Sequence, residues 1–153
     1  MPVSWALKHL RQSYWRLTRS LTIGAQGCVI DPDGRFLLIR HTYRPGWHFP
    51  GGGVEKNETI ETALARELRE EAGIELAGRP QLFAIYANFR YFPSDHIALF
   101  IITEWRQPVP PKPNFEIADH GFFSPEGLPE DTHPSTRARI AEIKNAAPIS
   151  ELW

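Results

Sequence analysis

Residues 46–74 read GWHFPGGGVEKNETIETALARELREEAGI, and this stretch governs the interpretation of the whole chain. Its three consecutive glycines at 51–53 predict a loop, because glycine is disfavoured inside helices and strands. Residues 58–72 then have the periodicity of an amphipathic helix that stops at Gly73, the residue type that most often ends a helix. We therefore expect a glycine loop that leads directly into a helix.

Three glutamates of the predicted helix lie on or beside its apolar face. The apolar stripe consists of Ile60, Ala63 and Leu64. Glu67 and Glu71 continue that stripe, and Glu70 lies next to it. Neighbouring buried carboxylates are costly unless a cation compensates them, and Mg²⁺ bound through oxygen would do so. The alternative is a solvated acidic face; the preceding glycines, which let phosphates approach backbone N–H groups, favour the cation.

The same stretch resembles the Nudix box at nine specified positions over 23 residues. The matching pattern is Gly52-x5-Glu58-x7-Arg66-Glu67-Leu68-x-Glu70-Glu71-x-Gly73-Ile74. The lead-in at 46–55 is also similar to that family, and the resemblance extends from about residue 20 to about residue 140. Asn57 stands where many members have glycine, and asparagine tolerates the same left-handed backbone.

This resemblance implies both a fold and an activity. The fold is the α/β (α+β) Nudix fold, a mixed β-sheet sandwiched between helices, in a Nudix hydrolase domain over residues 20–153. The implied activity is that of a MutT-like enzyme, which hydrolyses phosphorus-containing acid anhydrides with a divalent metal ion. The bond cleaved is the pyrophosphate bond of a nucleoside diphosphate that is linked to another moiety. Two alternatives stay open: an RNA 5′-end pyrophosphohydrolase and a non-catalytic domain that senses nucleotides.

The resemblance also implies residue roles by position in the box. The implied ligands of Mg²⁺ or Mn²⁺ are Glu67, Glu70, Glu71 and Gly52, the last through its carbonyl. Glu58 and Arg66 correspond to an ion pair that holds the loop on the helix. Members often add a carboxylate from a distant loop, so several residues are candidates for accepting the proton of the attacking water. The candidate catalytic residues are Glu70, Glu71, Glu116 and Asp119.

The segment just before the glycines carries candidate substrate-binding residues. Arg44 is suited to a phosphate, and the rings of Trp47 and His48 are suited to stacking on a base. The alternative is an ordinary turn with one core tryptophan. Both interpretations stay open at the level of sequence.

The remaining elements follow from alternation and turn residues. Strands are predicted at 21–30, 36–40, 81–89, 96–105 and 118–123, with a closing helix at 135–146. The turn residues at 31–34 predict that the first two strands form a hairpin. Cys28 is the only cysteine and lies in an apolar run, which predicts a buried structural thiol.

Composition limits the classes of protein that remain. A chain of 153 residues and 17.5 kDa fits one domain, and 42% hydrophobic with 23% charged residues excludes wholesale disorder. No apolar run approaches the roughly 18 residues of a membrane span. The net charge of −1 argues against the broad basic surface that binds nucleic acid, whereas the family resemblance implies a nucleotide-derived small molecule as partner.

Residues 1–19 are predicted to form an N-terminal amphipathic helix, a unit separate from the domain that follows. Its basic residues lie off the apolar stripe, and no acidic residue precedes Asp31. A transit peptide, a basic helix that touches membranes or partners, and a packing helix or homodimer contact are all compatible with this pattern. Charges interrupt every apolar stretch, which disfavours a secretory signal, so we expect a cytoplasmic protein.

Deleting residues 1–19 is expected to leave measurable turnover, because the box and the predicted sheet begin after them. Turnover and light scattering of the soluble truncated protein test this, since dimerisation or solubility can suffer independently. A folded truncation without any turnover would contradict the prediction and place the helix in the active site.

Overall fold

The computed structural model of the protein describes Tyr14 and residues 18–153. The predicted helix over 1–19 therefore lies almost entirely outside the described residues. The strands are β1 (Thr22–Val29), β2 (Phe36–His41), β3 (Trp47–His48), β4 (Gly51–Gly53), β5 (Glu75–Leu76), β6 (Gln81–Ala87), β7 (Asp95–Ile102), β8 (Trp105–Arg106) and β9 (Ile117–Phe123). The helices are α1 (Ile60–Ala72) and α2 (Pro134–Ile143), with a 3₁₀ turn at Pro125–Gly127. None of the helices in this part of the chain is long and apolar enough to cross a membrane.

The strands form two main sheets between the two helices. One sheet has the order β4-β1-β7-β6, with β1 and β7 parallel and the other pairs antiparallel, and the second has the order β3-β2-β9. A two-stranded sheet of β5 and β8, which the sequence did not predict, lies beside them. The predicted mixed sheet between helices is confirmed.

Alternation along β2 shows how the core divides into two layers. Leu37 and Ile39 belong to the cluster that contains the apolar residues of α1, whereas Phe36 and Leu38 belong to the cluster that contains Ile140 of α2. Successive side chains of a strand point to opposite faces, so each face of the sheet packs on its own helix. Cys28 is fully buried in the second cluster, and burial raises the pKa of its thiol, as expected of a structural cysteine.

Helix α1 is capped at both ends by its own residues. The Thr59 hydroxyl accepts a hydrogen bond from the Thr62 backbone N–H at 3.1 Å and caps the N-terminus. Gly73 has φ 64° and ends the helix in the left-handed conformation, with its N–H bonded to the Arg69 carbonyl. The helix predicted over 58–72 is confirmed, with a start at Ile60.

The predicted hairpin of the first two strands is wrong. A tight turn is present, with the Asp31 carboxylate accepting from the Arg35 N–H at 2.8 Å, but only the Ile30–Phe36 bridge joins the two strands. Beyond it β1 pairs with β4 and β7, and β2 pairs with β3 and β9. The turn is local and visible in the sequence, whereas the partners of each strand lie far along the chain.

The glycine run is a strand, not the predicted loop. Gly51–Gly53 pairs antiparallel with β1, in a register that sets Ala25 opposite Gly52. A Cβ on Gly51, whose φ is 146°, would lie 2.2 Å from the Ala25 carbonyl oxygen. Glycine is needed here because two backbones approach closely, which outweighs its low intrinsic strand propensity.

Replacing Gly73 with alanine is expected to cost more stability than the same change at Gly34. Both have positive φ, 64° and 75°, so each alanine incurs about 1–2 kcal/mol of left-handed strain. Only Gly73 is also crowded, since its Cβ would lie 2.5 Å from the Val109 carbonyl oxygen, whereas Gly34 has nothing within 4 Å. Urea unfolding of both variants measures the difference. Equal losses in the free energy of unfolding would show that the loop around Val109 moves aside without destabilising the protein.

Candidate active site

Glu71 is the buried centre of the acidic face of α1. Its side chain is 6% exposed, and one carboxylate oxygen accepts a hydrogen bond from the Gly51 backbone N–H at 2.7 Å. Burial raises the pKa of this carboxyl to about 8, and the charges of Glu67 and Glu116 act in the same direction. The Gly51 hydrogen bond and the positive charge of Arg44 oppose that shift. Glu71 is therefore a carboxylate that lacks sufficient compensating charge.

Glu67 packs against the next residue of the glycine strand. A Cβ on Gly52 would lie 2.5 Å from a Glu67 carboxylate oxygen, so any other residue at 52 would displace that carboxylate. The Gly52 carbonyl oxygen lies on the β1 side, 3.4 Å from the position of a Cβ on Gly24. That oxygen faces the antiparallel ladder with β1, and carbonyl ligation by Gly52 stays a prediction. Gly52 serves the site through its missing side chain.

Arg66 joins the glycine strand to the start of the helix. Its guanidinium donates two hydrogen bonds of 3.0 Å to the Glu58 carboxylate, and a third, of 3.2 Å, to the Gly53 carbonyl. It also contacts Glu67 at 2.6 Å, a pair of adjacent residues that the helical spacing did not indicate. The hydrogen bonds from Arg66 lower the pKa of Glu58, and the carboxylates of Glu58 and Glu67 raise the pKa of Arg66. Glu58 and Arg66 thus lie together as the box predicted.

Glu70 occupies a different environment from the other two box glutamates. Its side chain is 57% exposed and lies 3.7 Å from the Arg66 guanidinium. Within Tyr14 and 18–153, no three acidic, histidine or cysteine side chains already converge into a metal-binding group. Like charges repel, so Glu67 turns to Arg66 and Glu71 to the Gly51 N–H. The oxygen donors and the uncompensated charge nevertheless fit a divalent cation held by Glu67, Glu71 and Glu70.

His41, which clusters in the sequence with Arg44 and His48 but is not among the predicted site residues, lies beside Glu71. Its Nε2 is 3.8 Å from a Glu71 carboxylate oxygen and 2.7 Å from the Arg44 guanidinium. Burial lowers the pKa of His41 to about 4, aided by Arg44 and His48, so the imidazole is neutral at pH 7. Arg44 can only donate, so Nε2 of His41 accepts. Position 41 is also where the β2–β9 register shifts, a feature that sequence alternation does not reveal.

The predicted substrate-binding residues separate into two groups. Arg44 and His48 line a cavity of about 520 Å³, together with the glycine strand. Burial lowers the pKa of His48 to about 4, so Arg44 supplies the positive charge there. Trp47 lies in the core instead, with its ring 4.9 Å from Phe123 in an edge-on contact. The prediction that Trp47 binds substrate does not match this position, because neighbouring residues of β3 face opposite sides.

The two distant carboxylates also separate. Glu116 is exposed, and its backbone carbonyl accepts a hydrogen bond from the Thr42 N–H at 2.9 Å, next to His41, which lies 3.8 Å from the Glu71 carboxylate. Asp119 is the cross-strand partner of Arg40. The side chain of Arg40 is exposed and lies on one face of β2, whereas the buried His41 lies on the other face, the one beside Glu71. The structure therefore brings Glu116 toward the box glutamates and leaves Asp119 apart from them.

Comparison with known proteins agrees with this arrangement. A family model described as NUDIX domain matches residues 21–143. The 8-oxo-dGTP diphosphatase of Proteus vulgaris is 44% identical over 94 residues, which cover 58% of this chain and 81% of that protein. The RNA pyrophosphohydrolase of Halorhodospira halophila is 48% identical over 63 residues, 41% of this chain and 35% of that protein. The MutT NUDIX hydrolase structure from Burkholderia pseudomallei has a TM-score of 0.69 at 25% identity, covering 81% of this chain and 98% of that one.

The chain belongs to the Nudix family, on the evidence of this match and of the intact box. Its architecture is the Nudix fold, and it is a hydrolase of phosphoanhydride bonds. Nudix hydrolases generally need a divalent metal ion.

Replacing Glu71 with glutamine is expected to change how stability depends on pH in EDTA. The folded-state pKa of Glu71 is raised to about 8 from an ordinary 4.5, so its contribution to stability is full below pH 4.5 and is lost as the pH rises through 8. Glu71→Gln removes this loss. The melting temperature of the variant minus that of the wild type should therefore be larger at pH 9 than at pH 5. Thermal unfolding measures it, with Glu75→Gln as control. A difference independent of pH would contradict the prediction.

Proposed function

We propose that the protein cleaves a phosphoanhydride bond of a small nucleotide derivative, with Mg²⁺ or Mn²⁺ as the cofactor. The observation that carries this proposal is the contact between the acidic face of α1 and the glycine strand, next to a cavity of nucleoside size. Glu67 and Glu71 bring negative charge to a point where the Gly51 N–H and the half-buried Arg44 also lie.

The residues of the chain divide the chemistry between them. Glu67, Glu71 and Glu70 hold the metal, which when bound neutralises phosphate charge and lowers the pKa of the attacking water. Arg44 binds a phosphate of the substrate, since its guanidinium matches phosphate oxygens and lies beside neutral imidazoles. Glu116 accepts the proton of the attacking water, because it is exposed and near Glu71.

The substrate class follows from the cavity and from the names of the relatives. A cavity of about 520 Å³ accommodates one nucleoside, and relatives include an 8-oxo-dGTP diphosphatase and RNA pyrophosphohydrolases. We favour a small nucleoside triphosphate or diphosphate derivative over an RNA 5′ end, because the net charge of −1 provides no broad basic surface. A nucleotide sensor without activity is disfavoured, because every specified residue of the box is present.

The cellular setting is part of the same proposal. We propose a cytoplasmic location, because the one cysteine, Cys28, can form no intrachain disulfide and thiols stay reduced in the cytoplasm. A homodimer is proposed as well, and light scattering of the purified protein tests it.

A substrate screen tests the proposed function. Nucleoside triphosphates, 8-oxo-dGTP, nucleotide sugars, ADP-ribose, dinucleotides and 5′-triphosphorylated RNA are incubated with Mg²⁺, with Mn²⁺ and with EDTA, and both products are identified by mass. We expect metal-dependent cleavage of a phosphoanhydride in at least one small nucleotide. Cleavage of RNA alone would establish the alternative, and no cleavage of any compound would leave nucleotide sensing as the function.

Glu71→Gln is expected to lower kcat by roughly three orders of magnitude, because a ligand charge that stabilises the transition state is lost while the shape is kept. Glu75 is the matched control: it follows the same helix but lies exposed in β5, outside the box. Glu75→Gln should change kcat by less than about threefold. Steady-state kinetics with circular dichroism measures both, and equal effects at 71 and 75 would refute the metal assignment.

Glu116→Gln is expected to lower kcat about 100-fold, the size of a general-base contribution. Asp119→Asn is its control, since this carboxylate lies three residues away beside Arg40 and should matter less than about threefold. Rate profiles between pH 5 and pH 9 test the assignment. A larger loss for Asp119→Asn would transfer the proton-accepting role to Asp119.

A further inference from the structure

Residues beyond α2 return to the sheet and extend its edge. The Glu151 carbonyl accepts a hydrogen bond from the Ala87 N–H at 2.8 Å, and the Trp153 N–H donates to the Ala87 carbonyl at 3.1 Å. A parallel bridge between Ala87 and Leu152 lies between these two bonds. Because β6 is an edge strand of its sheet, this segment covers backbone groups that would otherwise be unpaired. It also lies outside residues 21–143, the part that matches the family.

A buried ion pair on α2 holds this segment in place. Arg139 and Glu142 are 3% and 4% exposed, and their side chains meet at 2.6 Å. The Arg139 guanidinium also donates to the Leu152 carbonyl at 2.8 Å, and the Glu142 carboxylate accepts from the Ser150 N–H at 3.1 Å. Removing either charged partner would leave the other buried and uncompensated. The position of residues 150–153 is therefore set by the core and not by surface contacts.

The segment places Trp153 at the cavity that contains the glycine strand. Leu152 is 60% exposed, whereas the Trp153 ring is partly buried, lies 5.5 Å from the Tyr86 ring in an edge-on contact, and lines the cavity. The Arg139 guanidinium lies 5.5 Å from the Trp153 ring centroid, which further restricts the ring. A large ring held in one orientation is thus presented to a cavity whose wall also contains the glycine strand, Ile23, Ile97 and Tyr91.

Two other residues of the cavity wall have unused hydrogen-bonding capacity. The side-chain carbonyl oxygens of Gln26 and Asn88 are buried, and neither has a hydrogen-bond partner among the described residues. The Asn88 amide nitrogen donates to the Asp95 carboxylate at 2.8 Å, which fixes the amide so that its oxygen is directed elsewhere. Buried acceptors without partners are rare, and N–H groups of a ligand would satisfy them.

We propose that Trp153 is a base-binding residue: it stacks on the heteroaromatic base of the nucleotide whose phosphates lie at the glycine strand. This inference rests on the proposed function. Stacking on a tryptophan accepts any flat heterocycle, and the acceptors of Gln26 and Asn88 favour a base with N–H groups on its edge. Arg139 and Glu142 hold the segment that carries Trp153.

The experiment compares Trp153→Leu, Trp153→Phe and Leu152→Ala in the otherwise intact chain. Trp153→Leu keeps apolar packing on Tyr86 but loses the aromatic face, Trp153→Phe restores a ring, and Leu152→Ala alters an exposed neighbour of the same segment. KM and kcat are measured on the nucleotide that the screen identifies. Binding of GMP and of AMP is measured by calorimetry in EDTA, which is a readout independent of turnover.

We expect Trp153→Leu to raise KM and to weaken GMP or AMP binding roughly tenfold, the size of one base–aromatic stacking contact, with kcat within about threefold of the wild type. Trp153→Phe should recover most of the affinity, and Leu152→Ala should bind like the wild type. Unchanged KM and monophosphate affinity in Trp153→Leu would overturn the inference, as would an equal loss in Leu152→Ala. Wild-type protein that binds GMP or AMP but cleaves no nucleotide would refute the proposed function while the binding data still decide the role of Trp153.

Discussion

The packing of the acidic face of α1 on the glycine strand β4 is the contact on which the rest of the structure depends. The Gly51 N–H bonds to the Glu71 carboxylate, and the space beside Gly52 is taken by the Glu67 carboxylate. Only residues without a Cβ allow this approach. The same helix face continues into apolar residues that fill the core, so the site and the fold share one interface.

This interface concentrates negative charge, and the surrounding residues balance only part of it. Arg66 is shared by Glu58, Glu67 and the Gly53 carbonyl, and it therefore serves mainly to close the strand onto the helix. Glu71 has the Gly51 hydrogen bond and the more distant Arg44, which do not offset its burial. A raised pKa at Glu71 records this imbalance, and a divalent cation is the kind of ligand that would correct it.

The cavity is built from elements that are far apart in the chain. β1 and β4 form one wall, and His48 of β3 lines the cavity as well. Trp153 belongs to the C-terminal segment that is hydrogen-bonded to α2. The part of the chain that matches the family thus carries the acidic helix and the glycine strand, while Trp153, outside the matched residues, contributes an aromatic ring to the cavity wall. Specificity can vary in such a segment without any change to the acidic helix.

Local sequence determined the elements whose information lies within a few residues. The helix α1 and its end at Gly73, the shared face of Glu67 and Glu71, and the burial of Cys28 all follow from periodicity and residue type, whereas the start at Ile60 lies two residues after the predicted one. Tertiary structure alone decided that the glycines form a strand, that Trp47 faces the core while His48 faces the cavity, and that Glu116 but not Asp119 approaches the box. The physical reason is that strand partners are distant in sequence, and a shift of one residue in register moves a side chain to the opposite face.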